Sequence, residues 1–203
     1  MKTVNYSYRS LRQMVGVLGI CLPFMLAIAI SGPLKQSISY YYYTEMSTVL
    51  TGILIAFGLI LFTYRRGTAE DKGWLSENRL TNAGGVFILL VALVPTKYEG
   101  DTESLLYMHK GGIRHCIHVA SAVLFIFSMG LMVLLKFSKA KYYQTLYKIL
   151  GSLVMLGLAF TIFAFVYQKD QNQQLFNGAI FWGESFSMFF FGIAWLRRGI
   201  PKA

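Results

Sequence analysis

Six long apolar runs dominate this chain and leave little choice of fold. They cover about 14–31, 46–64, 80–95, 115–135, 147–167 and 178–196. A run of about 20 apolar residues matches the thickness of a bilayer's hydrocarbon core. Within that core only helices and closed barrels satisfy every backbone polar group. The runs are continuous rather than alternating, so the reading is helical. The expectation is an all-α polytopic membrane protein: one domain over 1–203, six transmembrane helices, and both termini in the cytoplasm. The third run ends early at Pro95. The connecting segments are too short to fold as a soluble domain.

Charge sets the orientation. The chain carries 19 Lys and Arg against 9 Asp and Glu, a formal net charge of +10. With six spans, fourteen of those basic residues fall on the side of the termini, among them Arg9, Arg12, Lys136, Lys139, Arg197 and Arg198. Five fall on the other side: Lys35, Lys97, Lys110, Arg114 and Lys169. This is the positive-inside bias of a membrane protein. Topology and attraction to anionic headgroups account for the basic charge without nucleic-acid binding. The first run imitates a signal peptide, with an Ala27-Ile28-Ala29 triplet. It is longer than the usual apolar core of such a peptide, and retention as the first span is expected. Cys21 and Cys116 lie in or beside spans and form neither a disulfide framework nor a metal knuckle.

Between the first two spans stands "SISYYYYTE". Tyr40 to Tyr43 suit an interfacial aromatic belt; the other reading puts one or two of the phenols at a pocket mouth. The segment Arg65–Arg79, with Glu70, Asp71, Lys72 and Glu77, reads as a solvated turn. Asn78 and Asn82 share a helix face, and Gly84-Gly85 permits close backbone approach. The segment Thr96–Arg114 holds Glu99, Asp101, Glu103 and His109, and its length suits a functional loop. No two glycines stand four apart, so the GxxxG dimerisation signal is absent.

Few ionisable groups remain in the spans: Glu45, His115, His118 and Glu184. Such groups default to functional candidates. All four belong to the outer third of the bundle, and the inner half offers no comparable group. His118, Ser121 and Ser128 form one helical stripe; Glu184, Ser187 and Trp195 form another. Two polar stripes on separate helices should face inward around an outward-opening polar pocket.

Three uses of that pocket follow. His118 and Glu184 form a structural clasp. Alternatively His115, His118 and Glu184 hold a zinc ion, since two imidazoles and a carboxylate with an open position suit catalytic zinc. Glu45 or a tyrosine such as Tyr43 would then act as the catalytic acid or base on the bound water or the leaving group. In the third reading His118 and Glu184 form a proton-sensitive gate in a transporter or channel subunit. The leading expectation is an integral membrane protein binding a lipid or other amphiphile, with metal-dependent intramembrane hydrolysis as its enzymatic form. Its partners are membrane lipids and an amphiphilic small molecule, not nucleic acid.

The order "LRQMVGVLGICLPF", "SISYYYYTEMSTVLTGILIAFGLILFTYR", "NAGGVFILLVALVPT", "HCIHVASAVLFIFSMG", "FWGESFSMFFFGIAWL" resembles a group of small six-span bacterial membrane proteins, distantly similar to the DRAM-like family. That resemblance implies the six-span fold and a bacterial inner-membrane location. It is similar more remotely to the alkaline ceramidases and progestin/adiponectin-type receptors, which imply zinc held by histidines near one membrane face. This chain departs from them by one missing span, by histidines paired on the fourth span, and by Glu184 in place of a late-span histidine pair.

Overall fold

The computed structural model describes residues 2–28, 32–64, 73, 75–97, 111–140 and 142–200. Among them all secondary structure is helical. Six α-helices follow one another: α1 Lys2–Ile28, α2 Ser47–Thr63, α3 Glu77–Leu93, α4 Gly111–Leu135, α5 Gln144–Gln171 and α6 Ala179–Gly199. Two short 3-10 turns, Ile38–Tyr43 and Phe137–Lys139, lie between them. Four helical segments are long and apolar enough to cross a membrane: Tyr8–Ile28, Gly112–Lys139, Gln144–Gln171 and Ala179–Gly199. The chain is a membrane protein on that ground. α2 is apolar but has only 17 residues. α3 has the same length and starts on the polar sequence Glu77-Asn78-Arg79. Both therefore fall short of the length expected of a full span.

The helices form a closed ring. Each packs on the next, and α6 returns to pack on α1. Neighbours run in opposite directions, as the contacts at the two ends show. At one end, the turn end, residues 36–38 meet the start of α6, and Val94 and Thr96 beyond α3 meet the start of α4. At the other, basic end, Arg12 of α1 meets Tyr64 just after α2 and Glu77 at the start of α3.

Ring closure depends on glycine. A Cβ on Gly16 would lie 2.5 Å from the backbone nitrogen of Leu196, and one on Gly192 would lie 2.7 Å from the carbonyl oxygen of Gly16. The helices thus touch backbone to backbone, the close approach small residues permit in lipid. The GxxxG spacing is absent, yet glycines three apart on α1 (Gly16, Gly19) face glycine on α6 and serve the same purpose. Gly84-Gly85 behaves as expected. Gly85 meets Phe62 and the Gly58 carbonyl of α2, while Gly84 faces Met129 of α4.

The basic end corrects the sequence reading. Glu77 is not in a solvated turn: it is 2% exposed. Tyr64 Oη donates to Glu77 Oε1 at 2.7 Å and accepts from Arg12 Nε at 2.8 Å and Nη2 at 2.6 Å. Arg12 also stands 3.9 Å from Glu77. The basic end of the bundle therefore does hold an acidic side chain and a cation in contact, the former buried and the latter largely so. Sequence could not show it, because α1 extends back to Lys2 rather than starting at Met14, and this extension carries Arg12 over the end of α2. Ser76 caps α3, accepting from the Arg79 amide. Toward the bundle axis, Tyr64 packs edge-on against Trp195, and Trp195 against Phe137 and Phe191.

Candidate functional site: a polar-mouthed cavity at the turn end

The site begins with the turn Ile38–Tyr43. Upstream, Gly178 enters α6 at φ 74 with Leu34 pressed beneath it, and a Cβ there would lie 2.8 Å from Leu34 Cδ2. The Phe181 amide donates to the Gln36 carbonyl at 2.9 Å, and Gln168 of α5 donates to the Gln36 side chain at 3.1 Å. These bonds hold the chain across the mouth of the ring. The tyrosine run then curls inward instead of lying flat as a belt. Tyr41 is fully buried against Phe181. Tyr42 lines the cavity, and Tyr43 donates to the Thr96 carbonyl at 2.5 Å.

Below the turn lies a cavity of about 50 Å³ on the bundle axis. Its polar wall is Ser39, Tyr42, His118 and Glu184. Its apolar wall includes Leu54, Ile88, Ala122, Ile126 and Met188. From His118 to Ile126 along α4 is about 12 Å at ~1.5 Å per residue. At the foot of the cavity Phe125, itself part of the lining, packs ring to ring with Phe57 and Phe191. The two polar stripes do face inward: His118, Ser121, Ser128, Ser187 and Trp195 are all buried.

His118 and Glu184 share this cavity, but each bonds the turn rather than its expected partner. Glu184 Oε2 accepts from the Ile38 amide at 2.7 Å. His118 Nδ1 is 2.6 Å from the Val94 carbonyl, and Nε2 is 2.7 Å from Ser39 Oγ. A carbonyl only accepts, so Nδ1 carries the proton, and in the neutral ring Nε2 accepts from the Ser39 hydroxyl. The Val94 carbonyl is available because α3 ends there: Pro95 follows and cannot continue the hydrogen-bond ladder.

The other expected site residues stand apart. His115 Nδ1 is 2.9 Å from Thr96 Oγ1, and its ring faces Phe165 of α5. Glu45 is exposed, and Tyr43 is engaged with Thr96; neither lines the cavity. Among the described residues no three His, Cys, Asp or Glu side chains come together as a metal-holding group. The three residues expected to hold zinc each bond a different group instead: His115 the Thr96 hydroxyl, His118 the Val94 carbonyl and Ser39 hydroxyl, and Glu184 the Ile38 amide. Glu99, Asp101, Glu103 and His109 lie outside the described residues.

Two residues escaped the sequence reading. Arg114, assigned to the outer loop, is 1% exposed inside α4. Ser39 carried no signal at all: it is one hydroxyl in "SISYYYY", and only the fold brings it to a histidine 79 residues away. No protein-family model, curated protein or solved structure matches the chain, so its chemistry rests on its own geometry.

Proposed function

We propose that the protein binds a single-chain lipid or similar amphiphile, with the head at Ser39, Tyr42, His118 and Glu184 and the chain directed along the bundle axis. The observation that carries this is the cavity's division into a polar wall at the turn end and an apolar wall reaching to Ile126 and Met188. A cavity of about 50 Å³ between those walls suits one methylene chain better than a ring system. Such a site is concave, mostly apolar, and has a few convergent polar groups. The gating alternative has less support, because a path through the bundle must part the Phe57, Phe125 and Phe191 packing.

The test uses purified protein in nanodiscs and an octanoic acid bearing a chain-terminal diazirine, a chain that matches the depth of the slot. Photolabelling is expected on α4 and α6 near Ile126 and Met188. Ala122→Leu should lower it several-fold, and Ala122→Phe should remove most of it, because each fills the slot. Labelling confined to the outer helix faces, unchanged in both variants, would overturn the proposal.

The same reading takes all six helices as spans, with the turn end outside and the basic end in the cytoplasm. Seventeen residues of α2 reach about 26 Å at ~1.5 Å each, close to the ~30 Å hydrocarbon core. Membership of one ring with four full-length helices supports a shared depth. The positive-inside rule places Arg12, Lys136, Lys139, Arg197 and Arg198 in the cytoplasm. In a Cys21→Ser, Cys116→Ser background, Lys97→Cys should react with an impermeant maleimide on intact bacterial cells, and Lys139→Cys only after permeabilisation. The opposite pattern would invert the topology.

A further inference from the structure

We propose that Ser39 is an acyl-accepting nucleophile with His118 as its general base, and that the cavity cleaves or transfers the acyl group of a single-chain ester. The proposal rests on the amphiphile-binding reading above and adds a reaction to it.

Three features of the geometry carry it. First, nucleophile and base are in contact, with Ser39 Oγ 2.7 Å from His118 Nε2. Second, the base is oriented by a third group. Val94 holds the Nδ1 proton at 2.6 Å, so the lone pair on Nε2 points at the serine. A nucleophile bonded to a base that a third group aligns is the recurring pattern of acyl-transfer sites on unrelated folds. Third, access is graded correctly. His118 is 4% exposed, while Ser39 is only partly buried and lines the cavity. The base is shielded and the hydroxyl is presented.

The turn keeps Ser39 in place from both sides. Glu184 holds the Ile38 amide just before it, and Tyr43 is anchored to Thr96 just after it. Such supporting contacts on a reactive group are what preorganisation requires. Behind the pair lies the apolar slot, so an ester carbonyl at Ser39 would have its chain toward Ile126 and Met188. This selects esters or thioesters of one medium-length chain.

In the reaction, Ser39 Oγ attacks the ester carbonyl carbon and its proton passes to His118 Nε2. The bond from that carbon to the leaving oxygen or sulfur then breaks, and the leaving group takes the proton from Nε2. The acyl group remains as an ester on Ser39. Water, or a second alcohol, gives its proton to Nε2 and attacks the acyl carbon. Ser39 leaves with that proton, and the free acid or a new ester departs.

The probe is an octyl fluorophosphonate, which forms an Oγ–P bond with loss of fluoride. The full chain is labelled in nanodiscs and read by intact mass and peptide mapping. One adduct per chain is expected, mapped to Ser39 and absent in Ser39→Ala. His118→Gln, which keeps a hydrogen-bonding side chain but no base, should slow the adduct at least about a hundredfold. A serine that only ties the turn to α4 would not label, and no adduct at Ser39 in the wild type overturns the nucleophile whatever the variants do. An adduct forming equally fast in His118→Gln overturns the base. The diazirine octanoate separates the two readings. If it still labels the slot while the fluorophosphonate leaves Ser39 untouched, binding stands and the reaction falls. If neither probe reacts, both fall.

Discussion

Gly192→Val is expected to open the ring and leave little folded protein. The new Cβ would lie 2.7 Å from the Gly16 carbonyl and 2.9 Å from the Ile20 amide nitrogen, both backbone atoms that no rotamer change can move. Overpacking a tight interface costs about 1–3 kcal/mol when side chains can yield. Here whole helices must separate, and the loss should reach or exceed that range. Gly16→Val should do the same from the other side, because its Cβ meets Leu196 backbone. Gly52→Ala is the control. Gly52 is exposed, with nothing within 4 Å of its Cβ position, and alanine there should be neutral or slightly stabilising. Thermal stability and size-exclusion profile in detergent decide the matter. A Gly192→Val protein as stable as the Gly52→Ala control would mean that α1 and α6 do not meet in this way.

Arg12→Ala should be nearly as damaging. It strips Tyr64 of two donors and removes the guanidinium that stands 3.9 Å from Glu77, itself 2% exposed. Losing hydrogen bonds from a charged group costs about 1.5–3 kcal/mol. That corresponds to a fall in Tm of roughly 3–12 °C for a chain of this size. Arg12→Lys should recover only part of the loss, because an ammonium lacks the fork that places Nε and Nη2 on one hydroxyl. Removing Glu77 as well should be less than additive, and a double-mutant cycle over Arg12 and Glu77 measures the coupling. Strict additivity would show that the pair is not energetically linked.

These two sites mark the border of what the sequence reveals. The six helices were legible because apolar length is a one-dimensional signal: α4, α5 and α6 fall within a few residues of their expected places. The inward polar stripes were legible for a similar reason, since helical periodicity converts spacing into a face. Pairing between helices was not. Gly16 and Gly192 lie far apart in sequence, and no local pattern states that they touch. Arg12 looked like a topogenic charge and Glu77 like part of a hydrophilic loop; their burial follows only from where α1 begins. The site shows the same limit. His118 and Glu184 were singled out from the cost of charge in lipid. Their true neighbours, Ser39 and the Ile38 amide, belong to a turn whose inward curl depends on Gln36 and Gly178.

The contact between α1 and α6 also bears on biosynthesis. Of these six helices α1 leaves the ribosome before the others, and its main partner is α6, which follows the other five. At the ~5–20 residues per second of translation, the wait is on the order of ten seconds or more. During that interval the Gly16–Gly19 face of α1 stands in the bilayer or against the insertion machinery without the surface it was shaped to meet. Truncation anywhere before α6 therefore leaves the ring unclosed and that face uncovered, a state that cellular quality control can recognise.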